Sequence, residues 1–99
     1  MYGIIAKLVS APNRREDLMA ILTKSTTGLP GCLSYVIAKD LADANIIWIT
    51  EVWDSAADHE ASLSLPAVKD AIGSAKPLIA GFSRVAVTSP VAGVGPSAK

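Results

Sequence analysis

Residues that staple or react are scarce in this chain: it has one cysteine, one histidine, two tryptophans, two tyrosines and one phenylalanine. A lone Cys32 excludes an internal disulfide, and one Cys with one His cannot by themselves form a zinc site. Cys32 is therefore expected to be a small buried hydrophobe. Charge is also sparse: nine basic and nine acidic side chains balance, and no basic cluster exceeds Arg14-Arg15. That pattern carries no electrostatic footprint for nucleic acid or an anionic membrane surface. No apolar run approaches the roughly 18 residues of a membrane span, and no leader pattern precedes the first strand-like run, so a soluble cytoplasmic protein is expected. A glycine-rich phosphate loop, a G-x-S-x-G elbow, clustered metal ligands and C-x-x-C are all missing. An enzyme built on this chain relies on acid-base chemistry, orientation, or a substrate that brings its own reactivity.

What is present is apolar. Such residues make up 51% of a 99-residue chain, more than so small an interior readily hides, so help from a partner subunit is expected. Tyr2 to Ala11 is β-branched and apolar and reads as a first strand ending at Pro12. Asn13, three residues before Glu16, resembles a capping box, and Leu18, Ile21, Leu22 and Ser25 follow at helical spacing, predicting a helix from Arg14 to Thr27. Gly28, Pro30 and Gly31 break it. Cys32 to Lys39 and Ile46 to Trp53 read as two strands joined by a polar connection of hairpin length, and they should pair antiparallel. Ser55 can cap a helix carrying His59, Ser62 and Leu63, and Pro66 should begin a second helical piece that ends near Pro77. Phe82 to Thr88 reads as the fourth strand. Residues 1–89 form the expected domain, and Pro90 to Lys99 the expected mobile tail.

The order β-α-β-β-α-β is that of the ferredoxin-like α+β fold, a four-stranded antiparallel sheet with its helices on one face. Strand two offers Cys32, Val36 and Ala38 on one side and Leu33, Tyr35 and Ile37 on the other. Strand three offers Ile47, Ile49 and Trp53 against Ile46, Trp48 and Val52. Neither shows a clean apolar-in, polar-out alternation, and helices cover only one face. The other face should therefore meet a second copy of the chain, giving a homodimer with sheet packed on sheet, a dimeric α+β barrel.

Candidate chemistry concentrates where strand three runs into the next helix. His59 shares a helix face with Leu63, and its ordinary pKa of about 6.5 suits removal of a proton from an acidic phenol or enol. The alternative is a histidine satisfied by packing. Trp53 and Trp48 are an odd number of positions apart, so one faces the helices and the other the expected subunit interface. An indole can be a flat wall for an aromatic guest, or simply core. Glu51 shares the face of Trp53; if buried it needs a partner, for which Arg84 and Lys7 are candidates. Its expected role is structural before catalytic. Tyr35, Tyr2 and Ser62 are further polar groups able to line a cavity.

The residues Gly31-Cys32, Tyr35, Glu51-x-Trp53-x-Ser55, Ala57-x-His59-x-x-Ser62-Leu63-x-x-Pro66 and Lys76-Pro77-Leu78 resemble the antibiotic biosynthesis monooxygenase family, in particular its small quinol monooxygenase-like members. The resemblance covers roughly residues 1 to 89. It implies dimeric ferredoxin-like barrels, and an oxygenation of quinols, anthrones or polyphenols by O2 that needs no flavin, haem or metal. It implies His59 and Trp53 as catalytic residues, with a small aromatic molecule and O2 as partners; strand parity, helix face and polar groups add Trp48, Tyr35, Ser62 and Leu63 as the expected substrate-binding residues. Many relatives carry the histidine where Ser62 stands here. Haem-degrading relatives use an asparagine on the first strand, where this chain has Ala6 and Lys7, which argues against haem breakdown. Two alternatives stand beside this expectation: a non-catalytic, stress-associated dimer that binds an aromatic or aldehyde metabolite, and an isomerase of the same barrel architecture.

Overall fold

The computed structural model describes residues 1–93, and part of the expected tail, residues 94–99, lies outside them. The chain runs β1 (Tyr2–Ser10), α1 (Arg15–Ser25), β2 (Cys32–Lys39), β3 (Ile46–Trp53), α2 (Ala56–Ser62), α3 (Pro66–Ala75), a 3-10 turn (Lys76–Leu78) and β4 (Ile79–Thr88). The strands form one antiparallel sheet in the order β2-β3-β1-β4, which is the ferredoxin-like α+β fold.

β1 and β3 are the central pair, and period-two alternation decides what each buries. Ile4, Ala6 and Leu8 of β1 and Ile47 and Ile49 of β3 are buried on the helix side, where Leu18 of α1, Ala75 of α3 and Leu78 join them. The intervening residues Ile5, Lys7 and Val9 of β1 and Ile46 and Trp48 of β3 stand on the opposite face and are only half-buried. Val36 of β2 belongs to that outer face, opposite Thr50, and is 52% exposed.

Local chemistry accounts for most boundaries. The Ser55 side chain accepts the Asp58 N–H at 3.1 Å and starts α2, while Pro66 opens α3 where its missing N–H costs nothing. Asn13 behaves otherwise than the capping pattern suggested. Its φ is +63°, the left-handed region that asparagine tolerates, so it shapes the turn after Pro12, and α1 begins at Arg15 without a side-chain cap. The helix also stops at Ser25 rather than Thr27. β4 begins three residues earlier than Phe82, because Ala11 N–H donates to the Leu78 carbonyl at 2.8 Å and Ser10 pairs with Ile79.

A register shift between Cys32 and Ser34 sets Cys32 opposite Trp53, on the Tyr35 side of β2 rather than with Val36 and Ala38. Cys32 is half-buried, not fully enclosed as its residue type suggested. Just before it, Gly31 has φ +78°, its carbonyl accepts Asp54 N–H at 2.8 Å, and a Cβ there would meet the Asp58 side chain at 2.5 Å. This turn ties the start of β2 to the β3–α2 junction. Gly31→Ala should cost about 1–3 kcal/mol, combining left-handed strain with the clash. Gly28→Ala, also at positive φ (+70°) but in open space, should cost the smaller backbone share alone. Urea midpoints of the two variants check the order, and equal losses would refute the role given to Gly31.

Candidate functional site

Between the helices and the sheet lies a cavity of about 520 Å³. That is within the size range of small-molecule sites. Ile4, Ala6, Leu8 and Ile49 line it from the sheet, and Leu22, Leu29, Leu63, Val68 and Ile72 from the helical side. Its polar residues gather mainly at the end where β3 stops.

There Glu51 and Trp53, two apart on one strand, point to the same side. Trp53 is 1% exposed and its Nε1–H donates to Glu51 Oε1 at 2.9 Å. A buried carboxylate needs such a donor to offset lost hydration. The cap at Ser55 sets the phase of α2 so that His59, 8% exposed, turns toward the sheet. Its Nε2 lies 3.9 Å from the same Oε1, and its ring meets Trp53 edge-on with centroids 5.4 Å apart. Tyr2 approaches the imidazole from another side at 6.0 Å. One carboxylate oxygen thus accepts from the indole and faces the imidazole.

Tyr35 stands directly opposite Glu51 across the β2–β3 ladder. Burial pushes its phenol well above the ordinary tyrosine range, the Glu51 charge adds to this, and Cys32 adds further. Cys32 is raised likewise, by burial first and Glu51 second, against a lowering from a Ser34 backbone hydrogen bond. Ser62 is buried and donates its hydroxyl hydrogen to the His59 carbonyl at 2.6 Å. That leaves Ser62 Oγ with acceptor capacity toward a guest.

His59, Trp53, Tyr35, Ser62 and Leu63 all border this cavity. Trp48 does not belong with them. It stands on the outer face of the sheet, its indole N–H donating to Asp40 Oδ1 at 2.8 Å and the Lys7 ammonium 6.0 Å from its ring centroid. The Trp48 bond, followed by the Asp43 and Ala42 N–H groups, holds the Asp40 carboxyl below its usual range. The partner expected for Glu51 is also different: Lys7 lies on the wrong face, and Trp53 and His59 occupy the position proposed for Arg84. Arg84 instead borders the cavity from β4, as do Phe82 and, from the 3-10 turn, Lys76. Among the described residues, no group of three or more His, Cys, Asp or Glu is arranged to hold a metal ion, and no helix is long and apolar enough to cross a membrane.

A ferredoxin-like sheet with a ligand-sized apolar cavity beneath its helices, polar at one end, defines a small-molecule-binding α+β domain. The chain belongs to the antibiotic biosynthesis monooxygenase family, whose profile matches residues 1–74. Among solved structures, a protein from Chloroflexus aurantiacus provisionally described as an antibiotic biosynthesis monooxygenase is 52% identical, with a TM-score of 0.91 over 95% of this chain and 96% of that one. A Deinococcus radiodurans protein of the same provisional description is 28% identical, with a TM-score of 0.74 over 94% and 93%. One from Nitrosomonas europaea shares the fold at 14% identity, with a TM-score of 0.83 over 93% and 100%. No curated protein matches the sequence significantly. Family and neighbours together support a monooxygenase-like function.

The raised Tyr35 phenol has a consequence for stability. The folded state keeps a proton that the unfolded chain releases near the ordinary tyrosine pKa of about 10. Its contribution is therefore complete below that pH and is lost as pH climbs above it. In Tyr35→Phe the loss of stability between pH 9.5 and 11.5, about the range where an ordinary tyrosine titrates, should be shallower than in the parent protein. Urea midpoints across that range test this, and parallel curves would contradict the burial assigned to the phenol.

Proposed function

We propose that this protein is a cofactor-independent monooxygenase that oxidises a quinol- or polyphenol-type aromatic with O2. The observation that carries the reading is the convergence of imidazole, indole, carboxylate and phenol at one end of an apolar cavity. A ring packed beside Tyr35, against the wall that Trp53 backs, would bring an acidic hydroxyl toward His59. His59 takes the phenolic proton, and Glu51, 3.9 Å away, offsets the positive charge that arrives on the imidazole. The resulting phenolate passes one electron to O2, and the radical pair joins at a ring carbon. The peroxide then takes the proton back from His59. Loss of water leaves a carbonyl at that carbon.

Atoms and electrons balance without a further reductant. Hydroxylating the ring supplies two electrons and oxidising quinol to quinone supplies two more; one oxygen atom stays in the product and the other leaves as water. The apolar walls keep water from the radical pair. What the chain must supply is therefore a base, a platform and a dry enclosure.

The test is O2 uptake by metal-free protein over a panel of reduced quinols and naphthols, with isotopically labelled oxygen and product mass. Labelled oxygen should enter the product, and His59→Ala should lose about 10²- to 10⁴-fold in kcat/KM. Consumption at the parent rate in that variant would remove His59 as the base. Binding without oxygen uptake across the panel would overturn the monooxygenase reading.

The same reading includes a homodimer. Trp48, Ile5, Val9, Ile46 and Val36 make the outer face too apolar to be left to water, and two such faces can pack about 10 Å apart. Val36→Glu changes a side chain already half exposed within the protomer, so it should leave the protomer folded and shift sedimentation from dimer toward monomer. A parent protein that sediments as a monomer at micromolar concentration would refute the dimer.

A further inference from the structure

We propose that the cavity takes an aromatic guest bearing an anionic group, such as a carboxylate, at the end remote from His59, and that Arg84 holds this group. The aromatic half of the guest rests on the function proposed above; the anionic half rests on charges that the proposed oxygenation does not use.

Two cations border the cavity, Arg84 from β4 and Lys76 from the turn before it. Among the described residues Arg14 pairs with Asp17 and Lys39 with Glu16, His59 faces Glu51 as a charge pair only when its imidazole is protonated, and neither Arg84 nor Lys76 takes part in these. The carboxylate that lines the cavity, Glu51, is already engaged by Trp53 and faces His59. The cavity is therefore electrically lopsided. Its deep end is internally neutralised when the imidazole is charged, and its β4 side carries positive charge that no ion pair among the described residues offsets.

The ladder fixes where that charge sits. Arg84 pairs with Ala6 of β1, and Ala6 with Ile49 of β3, whereas Glu51 pairs with Ile4 one pleat along. Two strand spacings across and two residues along separate Glu51 from Arg84 by about 12 Å between backbones. Between them the sheet presents Ala6, whose single methyl leaves the middle of the cavity open. Phe82, two residues from Arg84 and 60% exposed, also borders the cavity and offers an apolar edge beside the guanidinium. A flat molecule with its hydroxyl at His59 thus reaches toward Arg84 with its far end. A guanidinium there pairs best with a planar, two-oxygen anion.

The probe is a hydroxynaphthoate with hydroxyl and carboxylate at opposite ends of its long axis, compared with its methyl ester, which keeps rings and hydroxyl and removes the charge. Fluorescence titration of the full chain should show the acid binding about tenfold tighter than the ester, a modest factor because Arg84 is open to solvent. Added salt should erode this preference and leave the ester unaffected. Arg84→Gln should bring the acid down to the ester's affinity, with unchanged ester binding reporting an intact cavity; Arg84→Lys should restore part of the difference. An ester that binds as tightly as the acid, or an acid indifferent to Arg84→Gln, would overturn the proposal. Discrimination between acid and ester without oxygen uptake would sink the monooxygenase and spare this inference. Oxygen uptake with neutral quinols alongside equal binding of acid and ester would do the reverse.

Discussion

Everything in this molecule answers to the central antiparallel pair, β1 against β3, whose alternating side chains must be sheltered on both faces of one sheet. Three helices of 11, 7 and 10 residues lie on one face and do not fill it. They meet the core at Leu18 and Ala75, with Leu78 of the 3-10 turn beside them, and elsewhere stand off far enough to leave a cavity floored by Ile4, Ala6 and Leu8. The opposite face keeps Trp48, Ile5 and Val9 with no helix above them. Cavity and bare face are thus two results of one constraint: a two-sided apolar sheet with too little helix to cover it.

The polar end of the cavity follows from the cost of burying a charge. Glu51 alternates onto the inner face whether or not that is comfortable, because Ile47, Ile49 and Trp53 must lie there. Its carboxylate is tolerated since Trp53, next on the same face, supplies an indole N–H within hydrogen-bond distance. The pair then presents a fixed negative oxygen to whatever α2 lowers onto it. The Ser55 cap determines that this is His59. The spacing of acid, indole, cap and imidazole along the nine residues from Glu51 to His59 is thus a short local program with a tertiary product. Across the ladder from Glu51, the phenol of Tyr35 resists ionisation first because it is buried and then because of that carboxylate.

Much of this was legible before any coordinates. The strand periodicities, the glycine and proline breaks around residue 30, the cap at Ser55 and the opening at Pro66 are local signals, and local signals carry secondary structure. Opposite placement of Trp48 and Trp53 followed from parity. Which indole faced the helices did not, because both faces of β3 are apolar. Asn13 misled because one side chain serves either as a cap or as a left-handed turn residue, and only the approach of Arg14 N–H to the Ala11 carbonyl shows which is used. Cys32 was set on the wrong side of β2 because a bulge leaves no mark in the alternation.

By itself, then, the sequence determined the element order, the ferredoxin-like class, the scarcity of chemical groups and the cluster of them after β3. Those depend on neighbours within a few residues. The tertiary structure alone decided that Glu51 is held by Trp53 and faces His59 instead of meeting Arg84 or Lys7, that Trp48 turns away from the cavity, and that Arg84 borders it without an ion pair among the described residues. Each of these rests on pairing register between strands far apart in the chain, and a single bulged residue, invisible to periodicity, changes which side a residue serves.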